Sequence, residues 1–284
     1  MATKAPYLTG YSIKPYAITS TGEVRFTDGT NNDIRANQVQ CQAYGYKYDP
    51  VTGTCNAFTP TKRIARNFSN INNKINGPGN TTELGSNLIQ INGSSNTAKG
   101  LNNNCFINGS NNTIANAVNN ATVVGTLAEA TATGSIVLGG NSTGDTLGER
   151  QSITLMFGTT TTTNATVDSY LNNDGESFFE IPANTIISFQ TQTIAIRVGG
   201  TAGGGAVGDY KFFIEEGTAV SNRSKAVTVD TTRTTVVNNG TVGVPDVTGT
   251  GAVFSQKVTG ANNRIIEWVT TMRITQLKVG VDLA

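Results

Sequence analysis

Glycoside hydrolysis needs only two carboxyl groups roughly 5–10 Å apart, so it is the hydrolytic chemistry still open to a chain that contains no histidine. Zinc sites, Ser-His pairs and Cys-His pairs lose their usual member at once. The 19 acids are unevenly spread, and between residues 67 and 125 the only one is Glu83. Calcium sites built on Gly-Asp repeats need aspartates, and residues 67–140 contain none. The segment from Gly203 to Gly208 fits G-x-G-x-x-G, but a dinucleotide site needs a helix behind that loop. Here the next residues, DYKFFIEE, alternate as a strand does, so the glycines form a loop. No metal or cofactor is expected, and the chain is not expected to be an enzyme.

The elements around these residues follow a repeat. Ile91-Asn92-Gly93 recurs sixteen residues on as Ile107-Asn108-Gly109, with Ile75-Asn76-Gly77 before it and Val123-Val124-Gly125 after it. Two positions earlier stand Asn73, Ile89, Cys105 and Ala121. An alternating apolar pair marks a short strand with one buried face, and Asn-Gly supplies backbone that can turn at positive φ. Each copy therefore reads as one turn of a β-solenoid or β-roll whose interior holds Ile75, Ile89, Ile91, Cys105, Ile107 and Val123. Asn80, Asn96 and Asn112 recur at a second corner, where stacked amides can form a ladder. Glu129 lies nearly three turns from Glu83, about 14 Å at about 4.8 Å per turn. That spacing excludes a carboxylate pair within one coil, though not between chains or in the C-terminal region. One or two apolar side chains per turn is a thin core, and three coils around one axis is the simplest way to cover the rest.

Residues 1–66 read as short strands broken by Thr-Gly and Asp-Gly turns. Gln42 to Tyr48 alternates as a strand, and Asp49 to Gly53 has the residues of a hairpin turn. Tyr44, Tyr46 and Tyr48 then share one strand face, which either packs a seam between subunits or holds a sugar or a partner protein. Cys41 and Cys55 resemble a bridge, but a hairpin centred near Val51 puts Cys55 opposite about residue 47. They read as buried thiols. Residues 150–284 carry seven or eight longer strands in an antiparallel pattern, with Ile266, Trp268, Thr270, Met272 and Ile274 on one face. No helix is expected.

With 20 basic and 19 acidic residues the net charge is +1, so nucleic acid and anionic membrane are disfavoured partners. No apolar run approaches the roughly 18 residues of a membrane span, and the first fifteen residues lack the apolar core of a signal peptide. A soluble product of the cytosol is expected.

The segment 134–145, GSIVLGGNSTGD, is similar to repeats of YadA-like trimeric adhesin heads, which also occur in bacteriophage fibres; the likeness covers residues 72–145. It implies a left-handed β-roll. The segments 41–55 (CQAYGYKYDPVTGTC), 126–153 and 178–185 (FFEIPANT), with the closing IIEWVTTMRITQLK, resemble structural proteins of tailed phages, the last as a β-sandwich that caps a fibre. The expected protein is thus all-β: an N-terminal region (1–66) that anchors to the particle, a β-roll shaft (67–149) of about 16-residue repeats, and an antiparallel β-sandwich (150–284), assembled as a homotrimer in a virion. Its expected partners are other virion proteins of capsid or tail and a host surface glycan or protein. The alternatives are a tailspike-like polysaccharide-degrading enzyme and a cellular trimeric adhesin.

Overall fold

The computed structural model describes residues 6–19, 21–57, 72–142, 144–201 and 204–283. Two compact units divide the chain, Met1–Phe68 and Ser69–Ala284. The expected boundary at residue 66, and Gly203 of the glycine loop, lie outside the described residues.

In the N-terminal unit, β1 (Lys14–Ile18) pairs antiparallel with β2 (Val24–Thr27), and Phe26 is fully buried at its centre. The strand expected from Gln42 and the absence of any helix are both corrected: Gln42 and Ala43 end a helix, α1 (Gln38–Ala43), and the strand begins only at Lys47. Asn37 accepts from the Gln40 N–H at 2.9 Å while the Gln40 side chain accepts from the Asn37 N–H at 3.0 Å, so the first turn is closed at both ends by its own residues. A hairpin of β3 (Lys47–Asp49) and β4 (Thr54–Asn56) follows, with Tyr48 opposite Cys55. The helical turn supplies the chain path that a plain hairpin lacked, and it carries Cys41 to Cys55: the two form a disulfide, not separate thiols.

The second unit begins as a coil, the β-solenoid expected from the sixteen-residue period. Its strands alternate between two parallel columns: β5 (Lys74–Asn76), β6 (Thr81–Thr82), β7 (Asn87–Ser94), β8 (Thr97–Ala98), β9 (Asn103–Ser110), β10 (Thr113–Ile114), β11 (Thr122–Thr126), β12 (Glu129–Ala130) and β13 (Ile136–Gly140). Like stacks on like, because Ile75, Ile91, Ile107, Val123 and Val137 are direct register partners from rung to rung. Ile89, Ile91, Cys105, Ile107 and Val123 are buried in the coil. Ile75 is not: β5 pairs only with β7 among the described residues, and Ile75 is 42% exposed there.

The corners are held by amides, half-buried at Asn80 and fully buried at Asn96 and Asn112. Asn80 Oδ1 accepts from the Asn96 N–H at 2.9 Å, and Asn96 Oδ1 accepts from the Asn112 N–H at 3.0 Å. Each Nδ2 donates to a glycine carbonyl of the next turn: Asn80 to Gly93, Asn96 to Gly109, and Asn112 to Gly125. Those glycines have no substitute, since a Cβ on Gly93 or Gly109 would lie 1.9 Å from the carbonyl oxygen stacked above it.

The coil's sheet does not stop at β13. β14 (Arg150–Thr161) joins it antiparallel, and the sheet runs on through β22 (Ile265–Lys278), β17 (Thr185–Gly199), β18 (Tyr210–Ser221) and β19 (Val227–Asn239). A second layer faces it, in which β21 (Val253–Thr259) pairs with β15 (Thr166–Leu171), β16 (Phe179–Glu180) and β20 (Val244–Thr250). Phe254 of β21 bridges the layers by meeting Phe189 at 5.2 Å and Phe179 at 6.2 Å. Trp268 lies in the interior and donates its indole N–H to Thr161 at 2.9 Å.

Replacing Asn96 tests the ladder. Asn96→Ala leaves the buried Asn112 N–H without its acceptor and the Gly109 carbonyl without its donor, at a cost of about 3 kcal/mol or more. Asn92→Ala, which removes an amide bond from the open side of the coil, costs about 0.5 kcal/mol or less. Denaturant titration of the two variants compares them, and equal losses would mean that the buried ladder is not what holds the turns.

Candidate functional site

The three tyrosines do not share one strand face, because Tyr44 ends α1 and only Tyr48 lies on β3. All three pack on the N-terminal core. Tyr44 is a structural post: its hydroxyl donates to the Ile13 carbonyl at 2.7 Å and accepts from the Leu8 N–H at 3.1 Å, and its ring meets Phe26 edge-on at 5.8 Å. Tyr48 also lines an open groove of about 490 Å³ with Glu23, Lys47, Asp49, Thr54 and Asn56. A ring face, both charge signs, an amide and a hydroxyl make this groove suited to a polar extended ligand such as a peptide or a sugar. Asp49 accepts from the Thr52 hydroxyl at 2.8 Å and the Val51 N–H at 2.9 Å, and these bonds hold its carboxyl below the usual range. Glu23 is paired with Arg25 at 3.1 Å.

Along the coil the acids are spaced. Glu83 follows β6 and Glu129 begins β12, three rungs along the same column, and Glu83 is occupied by the Gly100 N–H at 3.2 Å. Sequence reasoning missed a closer group after the coil: Arg150 pairs with Asp145 at 2.6 Å and with Glu149 at 2.9 Å. Arg150, with help from the Ser142 N–H, lowers the Asp145 carboxyl, so this acid is held as an anion and is no proton donor. Among the described residues no cluster of histidine, cysteine, aspartate or glutamate could hold a metal ion.

Glu215 is the exception, an acid 1% exposed between β18 and β20. Burial pushes its carboxyl up, against the Val247 N–H at 3.1 Å and the Thr231 hydroxyl at 3.1 Å that both bond Oε1; Asp246 adds to the rise and Arg233 opposes it. A raised acid is what a general acid needs, but this one is buried from solvent, and among the described residues its Oε2 has no hydrogen-bond partner. Cys105 is sealed likewise, its thiol raised by burial and directed at the Asn103 and Val118 carbonyls.

No known protein family matches the sequence, and no curated protein matches it. Among solved structures, the tailspike protein of Acinetobacter baumannii phage AM24 matches over 74% of this chain and 50% of its own, at 11% identity and a TM-score of 0.27. The tailspike protein of Acinetobacter phage vB_ApiP_P1 matches over 73% and 47%, at 10% identity and a TM-score of 0.25. A third, tailspike protein gp49 from Acinetobacter baumannii bacteriophage Fri1, is described as a capsular polysaccharide depolymerase and matches over 72% and 48%, at 10% identity and a TM-score of 0.22. The chain thus spans about half the length of the structures it matches. The expectation that the chain is not an enzyme is overturned by that description: lack of histidine and wide spacing of the coil acids are no ground for excluding polysaccharide cleavage. At these scores the likenesses carry no argument for an activity. Among the described residues no helix is long and apolar enough to cross a membrane.

Glu215 gives the unit a pH signature. Because its folded pKa is raised, its contribution to stability is complete below the unfolded value of about 4.3 and is lost as pH rises through the folded value. Denaturation midpoints across that range fall with rising pH for the natural chain, and the fall attributable to this group disappears in Glu215→Gln. Identical profiles for the two proteins would show that the burial of Glu215 has no such cost.

Proposed function

We propose that the chain is a structural subunit of a bacteriophage virion, a homotrimeric head or tail fibre that attaches the particle to a host surface glycan or protein. Residues 67–149 are the shaft, residues 1–66 the anchor and residues 150–284 the end presented to the host. The observation that carries this reading is the passage of the coil into the antiparallel region through β13 and β14 as one sheet. A load applied at one end is then borne by backbone hydrogen bonds throughout, as a shaft requires. The similarity of the repeats to those of YadA-like heads and phage fibres supports the same reading. The Tyr48 groove fits the anchor, where an extended segment of another virion protein would lie against β3 and β4.

Electron microscopy of intact particles labelled with antibody to residues 150–284 tests the assignment. Label at the capsid makes this a head fibre, and label on the tail makes it a tail fibre. An absence of label from every particle defeats the phage reading in favour of a cellular adhesin. In particles carrying Tyr48→Ala the label falls at least several-fold if the groove is the anchor contact, and unchanged label removes the groove from that role.

A further inference from the structure

We propose that the outward face of the long sheet in the C-terminal unit is covered by a second copy of this chain; the inference rests on the self-associating fibre reading above and names the surface where copies join. The inner face of this sheet is sealed by its second layer, with Phe157, Phe189, Met272 and Ile274 all buried. Among the described residues of this unit no second layer covers the outer face. Across it runs a row of side chains in direct register, Val269 of β22 beside Ile194 of β17, then Phe212 of β18, then Val237 of β19. Val269 is 41% exposed, Ile194 49% and Val237 37%. On β14 the row meets Gly158, with exposed Met156 two residues along that strand, and further along Leu138 of β13 projects outward opposite Ser152.

Size argues for a protein partner. Six strands, β13 to β19, at about 4.8 Å spacing span roughly 24 Å, and the 12 residues of β14 reach about 40 Å. The face is on the order of 1,000 Å², matching the ~800 Å² that one side of a standard interface covers.

Charge argues that the partner is this same chain. Between the apolar row and Leu138 lies a polar band in register, Arg273 of β22, Gln190 of β17 and Glu216 of β18, with the Gln190 amide donating to Glu216. One face thus carries both signs a few strands apart. A rotated copy brings its Glu216 to the first chain's Arg273, whereas a partner of one strong sign would meet repulsion from half of the band. Association of copies around an axis uses such a surface repeatedly.

The test measures the mass in solution of the full chain and of the double variant Ile194→Glu/Val269→Glu by sedimentation or light scattering. Both positions face outward, so Trp268 emission reports whether the interior stays intact. The natural chain is expected at a multiple of 29.7 kDa, and the variant at 29.7 kDa with unchanged emission. A natural chain that stays monomeric at all concentrations overturns the fibre reading itself and with it this inference. An oligomeric natural chain with an equally oligomeric variant leaves the fibre reading in place and overturns the face, moving the contact to the open edge of β19. If the glutamates unfold the chain, Ile194→Thr/Val269→Thr keeps strand-forming residues and raises the dissociation constant at least tenfold; an unchanged constant again overturns the face.

Discussion

The buried asparagine ladder is the constraint on which the coil depends. A chain that turns a corner every few residues leaves backbone N–H and C=O groups out of register with any strand, and burying them unpaired costs more than a thin apolar core can offset. Each repeat answers with two residues that work together. Glycine, having no Cβ, lets the carbonyl of the next turn come where a side chain would otherwise be, and asparagine three residues later binds that carbonyl and the N–H above it. Remove either and the other loses its purpose.

The ladder also has a planned end. Its next place falls on Ala128, whose N–H takes the last free Asn112 oxygen. The step from Val123 to Val137 then shortens from sixteen residues to fourteen. Asn141 takes over, donating to the Leu127 carbonyl at 3.0 Å and accepting from the Arg150 N–H at 2.7 Å. That second bond lies at the start of β14, so one side chain closes the coil and starts the antiparallel sheet. The Asp145–Arg150–Glu149 group sits at the same turn, and its charges are spent on fixing the turn rather than on chemistry.

The coil was legible in the sequence because stacking forces identical needs onto positions sixteen apart, and identical needs select similar residues. Strands such as β17 and β22 were legible because one face is buried and the other is not. β19 was not, since it mixes threonine with valine and charged residues and none of its side chains is fully buried, so no apolar alternation betrays it. α1 was hidden by length: one turn has no period to detect, and its only signal is the Asn37–Gln40 pair. Ile75 failed for a different reason, since phase places a residue on the inner side of a strand but cannot supply the neighbour that buries it. Of the candidate site, the sequence pointed to Tyr48 but not to Glu23 or Asn56: the pairing of β3 with β4 sets Asn56 beside it, and the bridge between Glu23 and Asn56 brings in Glu23.

The disulfide gives the two units different relations to their surroundings. Thiols stay reduced where glutathione and thioredoxin act, and pair in oxidising environments. In reducing conditions the N-terminal unit is held by Phe26, the tyrosine contacts and the capped helix alone; once oxidised, it gains a covalent tie closing a loop with a sequence separation of 14. The second unit holds only Cys105 among its described residues, buried and with no thiol to join, and is indifferent to that change. One chain therefore combines a segment that an oxidising environment would harden with a segment that the same change leaves untouched.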